Sequence, residues 1–188
     1  MLPDSLKAKL QLLSACALAL GACNGCTPAN HPAVPAASPY EPTATFQEIM
    51  DSVVDPSGDF IWNSVSTVMD IKGIHENQPR TDQEWHEVRR RAILLAESAN
   101  LLAVPGRRVA SGEKTAEAGD ALDVKPIQQR LDTRHAELVG FASALRGISM
   151  QLVAAADRKD VAAIADLGGT LDEVCESCHK VFWYPDQK

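Results

Sequence analysis

The sequence predicts an all-α protein built as an antiparallel helical bundle. Three observations predict it. Four long segments carry apolar side chains at i+3 and i+4 steps, capping and stop residues bound several of them, and nothing reads convincingly as strand. Over 188 residues, 45% are hydrophobic and 23% charged, which excludes a disordered or disulfide-dense chain and fits one domain plus an export segment. The formal charge of −7 gives a nucleic-acid role no electrostatic support. An acidic surface would steer a basic partner, although many acidic proteins have no such role.

Residues 1–22 read as an export signal. Lys7 and Lys9 precede Leu10–Ala22, which is apolar apart from Gln11 and Ser14 and too short to span a bilayer. The segment ends Leu20-Gly21-Ala22-Cys23, which resembles a bacterial lipoprotein cleavage box with Cys23 as the lipidated residue. Ordinary cleavage near Ala22 is the alternative. Residues 23–43 contain Pro28, Pro32, Pro35, Pro39 and Pro42 among many alanines and read as an extended tether. Of the five cysteines, Cys16 leaves with the signal, Cys26 lies in the tether, and Cys175 and Cys178 form a C-x-x-C-H pair.

Residues 44–188 form the folded domain. The first helical segment runs from about Thr43 to Met69, with Phe46, Ile49, Met50, Val53 and Val54 on its face and a break expected at Asp55-Pro56. Phe60, Trp62, Val65 and Met69 continue the face beyond that break. The second starts at a capping box, Thr81-Asp82-Gln83-Glu84, continues through Trp85, Val88, Ala92, Leu95 and Leu102, and stops at Pro105-Gly106. Residues 104–125 are a long polar loop, a mobile flap or an insertion. The third segment runs from about Pro126 to Arg158. The fourth starts at an Asp160 cap and ends near Trp183, weakened locally by Gly168-Gly169.

Cys175-Glu176-Ser177-Cys178-His179 carries the chemistry. On a helix, Cys175 shares a face with Cys178, three residues on, and with His179, four residues on. Two thiols and an imidazole on one face suit covalent attachment of one haem to two vinyl groups, with the ring meeting the iron. A zinc site lacks its further ligands. A thioredoxin-like dithiol belongs at a helix N-terminus in an α/β setting. No nucleophile motif suggests catalysis, so the chain is not expected to be an enzyme.

With this C-terminal helix, Leu171-Asp-Glu-Val-Cys-Glu-Ser-Cys-His-Lys-Val-Phe182, four helical segments and a Met early in the first of them, residues 43–185 resemble the class II c-type cytochromes. These comprise cytochrome c′ and its low-spin Met/His relatives. The resemblance implies an up-down-up-down four-helix bundle with one haem c in its core near the C-terminal end of the fourth helix. It implies thioethers at Cys175 and Cys178 and His179 as proximal iron ligand. The export signal agrees, since such haem is attached outside the cytoplasm. The place implied is the periplasm of a Gram-negative bacterium, with the protein anchored to the membrane through Cys23. Partners would be redox proteins, and cytochrome c′ proteins often form homodimers. The Pro56 interruption and the 104–125 loop depart from the pattern.

In a bundle of that connectivity, the end of the fourth helix lies beside the start of the first, the end of the second and the start of the third. Met69, Met150, His75 and His86 then fall at the opposite end, and His31 falls in the tether. Met50 and His135 remain. Met50 matches the level of the low-spin relatives' Met ligand, but Met is also a common core filler. His135, beside Arg134 and Glu137, reads as part of a solvated face. A filled sixth position suits electron transfer. An open one, as in cytochrome c′, would bind NO or CO. Arg130 and Arg134, at the same level, suit either a haem propionate or a solvated basic face. Trp62 and Trp85 read as core. Trp183 and Tyr184 would pack on the haem site or on the bundle end.

Overall fold

The computed structural model describes residues 41–112 and 122–185, and most of them are helical. The signal segment, Cys23, Cys26, His31 and residues 113–121 of the long loop lie outside the described residues.

Thr45 opens the first helix with a capping box. Its hydroxyl accepts from the Glu48 amide at 3.2 Å, and Glu48 accepts from the Thr45 amide at 2.8 Å. Helix α1, Phe46–Ile49, passes without a break into a π-helical segment, Met50–Val54, and then into α2, Asp55–Ser64. The expected interruption at Asp55-Pro56 is therefore a widened turn and not a break. Proline lacks an N–H and crowds the carbonyl four residues back. The turn just upstream opens to i→i+5 bonding, with the Asp55 amide donating to the Met50 carbonyl.

The expected continuation of this helix to Met69 is wrong, as is the expectation of no strand. Val65 turns extended (φ −132°, ψ 97°), and Ser66–Asp70 (β1) pairs antiparallel with Gly73–Asn77 (β2). The two-residue connection Ile71-Lys72 is set by an Asx turn, the Lys72 amide donating to Asp70 Oδ1 at 2.7 Å. Gly73 takes a φ of 124° that an L side chain rarely adopts. Thr67, Val68, Ile71 and Ile74 are β-branched and favour strand. Met69 and His75 thus lie on the hairpin.

The Thr81 capping box is present and starts α3, Asp82–Leu102. Gly106 follows its end with a φ of 76°. The third predicted helix is two. Helix α4, Val124–Thr133, and α5, His135–Asp157, meet at Arg134, where the backbone leaves helical geometry (φ −117°, ψ 30°). Thr133 Oγ1 bonds back to the Gln129 carbonyl at 2.7 Å, a contact that bends helices. Helix α6, Val161–Phe182, begins at the predicted cap, with Asp160 Oδ1 accepting from the Ala163 amide at 3.0 Å.

Helix α3 lies antiparallel along α5. Arg89 meets Asp157 at 2.8 Å and Asp82 meets Lys159 at one end, while His135 meets the Ala103 carbonyl at 3.2 Å at the other. Helices α5 and α6 also run antiparallel, with Phe141 and Phe182 edge to face at 6.2 Å near the α5 start and the α6 end. Helix α2 packs on α3 and on α6. Ile61, Val88, Leu95, Leu152, Ile164, Leu171 and Phe182 are fully buried between these helices.

Candidate functional site

The last three turns of α6 present one apolar-facing stripe. Leu171, Val174, Cys175, Cys178 and His179 fall at helical three- and four-residue steps, and all line one cavity. The helix containing Met50 supplies the facing wall. Phe46, Met50, Val54, Gly58 and Trp62 line the same cavity. These five positions are strictly four apart. In a straight α-helix each such step drifts by about 40°, so the five would spread over about 160°. The π segment puts one extra residue into a turn and takes back about 100° of that drift. The irregular turn therefore keeps all five positions on the cavity.

Leu95 and Leu102 of α3 and Leu138, Phe141 and Leu145 of α5 complete the walls. The cavity has a volume of about 180 Å³, less than the roughly 300–1,000 Å³ of small-molecule sites, and its mostly apolar lining with a few polar groups is of the kind such sites have. The polar groups are His179, Asp55, Asp172 and Glu176.

The end of α6 holds His179 in place. Its carbonyl accepts from the Trp183 and Tyr184 amides at 2.7 and 3.1 Å, which closes the helix. Its ring stands 6.1 Å from Trp183 and 5.8 Å from Tyr184, centroid to centroid. Tyr184 Oη donates to Glu176 Oε2 at 3.1 Å, and Glu176 also meets Lys180 at 3.3 Å. On the facing wall, Trp62 Nε1 donates to the Gly168 carbonyl at 2.9 Å, locking α2 to α6 beside the cavity.

Neither thiol is a poised nucleophile. Burial, then Asp172 and Asp55, pushes Cys175 up to about 11. Burial, then Cys175 and Glu137, pushes Cys178 up to about 12. Both are free and half-buried. Asp55 is likewise pushed up by desolvation, partly offset by His179 and reinforced by Asp51 and Asp59.

The structure thus gathers Cys175, Cys178, His179 and Met50 at one cavity. The alternatives stand elsewhere. His135 is engaged with the Ala103 carbonyl and does not line it. Met69 and Met150 are exposed, His86 is exposed, and His75 pairs with Asp70 at 3.0 Å. Arg130 donates to the Val181 carbonyl at 3.3 Å. Arg134 pairs with Glu137 and lies over the Phe182 ring, so both arginines meet the end of α6 without lining the cavity. Trp85 is core, as expected, whereas Trp183 is buried and lines the cavity. Trp62 and Asp55 are cavity residues that sequence reasoning missed. The four-residue spacing from Phe46 to Trp62 was the available signal for Trp62. Among the described residues, no group of three or more His, Cys, Asp or Glu is arranged to hold a metal ion. Comparison with protein-family models, curated proteins and solved structures found no match for this chain.

Proposed function

We propose that this chain is a monohaem c-type cytochrome of electron transfer, a four-helix bundle resembling class II, exported to the periplasm and tethered through a lipid on Cys23. One observation carries the proposal: both thiols and the imidazole of the C-x-x-C-H helix face a single apolar cavity whose opposite wall contains a methionine. Haem c would supply a one-electron redox centre there. Cys175 and Cys178 would hold it covalently, His179 would be its proximal ligand, and Met50 would occupy the sixth position. The leucine and phenylalanine walls make the surround apolar. A thioether ligand combined with an apolar surround favours the reduced state and raises the potential. The protonated thiols argue against a dithiol–disulfide enzyme, which depends on a low-pKa cysteine.

Substitution separates the roles. Cys175→Ser combined with Cys178→Ser is expected to abolish acid-stable haem attachment. Met50→Ala is expected to retain covalent haem, lose the Met–iron absorption band and gain CO binding in the reduced state. A Met50→Ala spectrum identical to wild type would sink the sixth-ligand assignment and favour an open, gas-binding haem.

A further inference from the structure

Met50 lies one turn inside the helical run that starts at Phe46, at the head of its π segment, a rare geometry. The chain just beyond α3 secures that run. Arg107, only 4% exposed, donates from Nε to the Leu101 carbonyl at 3.0 Å and from Nη1 to the Ala44 carbonyl. The Phe46 and Gln47 amides have no partner inside their own helix. They donate to the Arg108 and Val109 carbonyls at 2.9 and 3.0 Å. The buried Val109 amide donates to Gln128 Oε1 at 2.9 Å, and Gln128 Nε2 donates to the Arg107 carbonyl at 3.2 Å. Helix α4 thereby braces the loop that braces α1.

We infer that Arg107 is a positioning residue for Met50, tying the end of α3 to the start of α1 and so setting the height of Met50 on the cavity wall. The inference depends on the ligation by Met50 proposed above. The planar fork reaches two carbonyls on two elements at once. A lysine ammonium keeps the charge but lacks the fork that bridges them. None of these bonds touches α6, so covalent attachment at Cys175 and Cys178 does not depend on them.

The test uses the full-length haem-loaded protein with Arg107→Lys and, separately, Gln128→Ala, read by amide hydrogen exchange and by CO binding. Arg107→Lys is expected to speed exchange over residues 46–55 by about tenfold or more, with α6 unchanged. CO binding should appear and the Met–iron band should weaken, with the haem still covalently bound. Gln128→Ala should shift the same readouts less, and it serves alone if Arg107→Lys does not fold. Exchange that rises evenly along the chain, or a lower melting point with the Met–iron band intact and no CO binding, would mark Arg107 as merely structural and overturn the inference. Free CO binding by the unsubstituted protein would overturn the Met50 ligation and this inference together, and it is recognised by needing no substitution.

Discussion

Trp62 shows how much a single side chain can depend on what its neighbours lack. Its ring lies against Gly58 and Gly168, where a Cβ would stand 3.2 and 3.4 Å from indole atoms. Gly169, next in the chain, has nothing within 4 Å of the same built atom. The two glycines of the Gly168-Gly169 pair therefore differ in role, although both weaken the helix equally by propensity. Gly169→Ala is expected to stabilise the protein by about 0.5–1 kcal/mol, the ordinary helix gain. Gly58→Ala should return clearly less, because the Trp62 ring must give way to the new methyl group. Chemical unfolding of the two variants checks this. Equal gains would mean that Trp62 does not need the notch.

At the scale of elements, the caps are where sequence and structure agree most closely. Thr45, Thr81 and Asp160 all cap through their side chains, and Thr81 and Asp160 were legible because a capping residue stood before an apolar periodic run. Glu48 and Glu84 close the two capping boxes and are held below their ordinary 4.5, chiefly by hydrogen bonds from Thr45 and from Arg80 and Thr81. Hydrogen bonds from Arg90 and Arg91 lower Glu87 further, to about 2. A carboxylate with a depressed folded pKa contributes stability that is complete above its unfolded value and lost as the pH falls through its folded value. The melting temperature should therefore decline as the pH drops below about 4.5. Glu84→Gln should flatten part of that decline. A variant curve parallel to wild type would mean that the capping carboxylate is not involved.

The elements that the sequence hid were hidden for physical reasons. Phe60, Trp62, Val65 and Met69 continue a helical rhythm, so the hairpin at Ser66 looks like more helix until the Asp70 turn and Gly73 are read together. The bend at Arg134 follows from a threonine back-bond that leaves no trace in an apolar pattern. The π turn is legible only in retrospect, as a four-residue spacing that a straight α-helix would spread off one face.

At the scale of the molecule, the cavity was legible in outline. The C-x-x-C-H placed its floor on α6, and antiparallel connectivity put Met50 and His135, rather than Met69 or Met150, at the level of that motif. What sequence left open was the clamp at Arg107 and the wall at Trp62, which arise from contacts far apart in the chain. The hairpin stands apart from all of this. Its strands are almost wholly exposed, with Ile71, Met69 and Ile74 open to solvent. Ser66 and Asn77 face each other across its base. Replacing residues 67–76 by a two-glycine link should change stability by no more than about 0.5 kcal/mol and leave the cavity chemistry intact. A larger loss, measured by denaturant unfolding, would show that the hairpin supports the helices.

We propose that one cavity holds a covalent haem between His179 and Met50. The absorption spectrum of the purified full-length protein, taken oxidised and reduced, with and without CO, tests it most directly. The expected results are haem that survives acid extraction, a Met–iron band in the oxidised protein and a reduced spectrum that CO leaves unchanged. Absence of covalent haem from protein made in a host that matures c-type cytochromes would contradict the claim at Cys175, Cys178 and His179. A reduced spectrum that shifts at once with CO would contradict it at Met50.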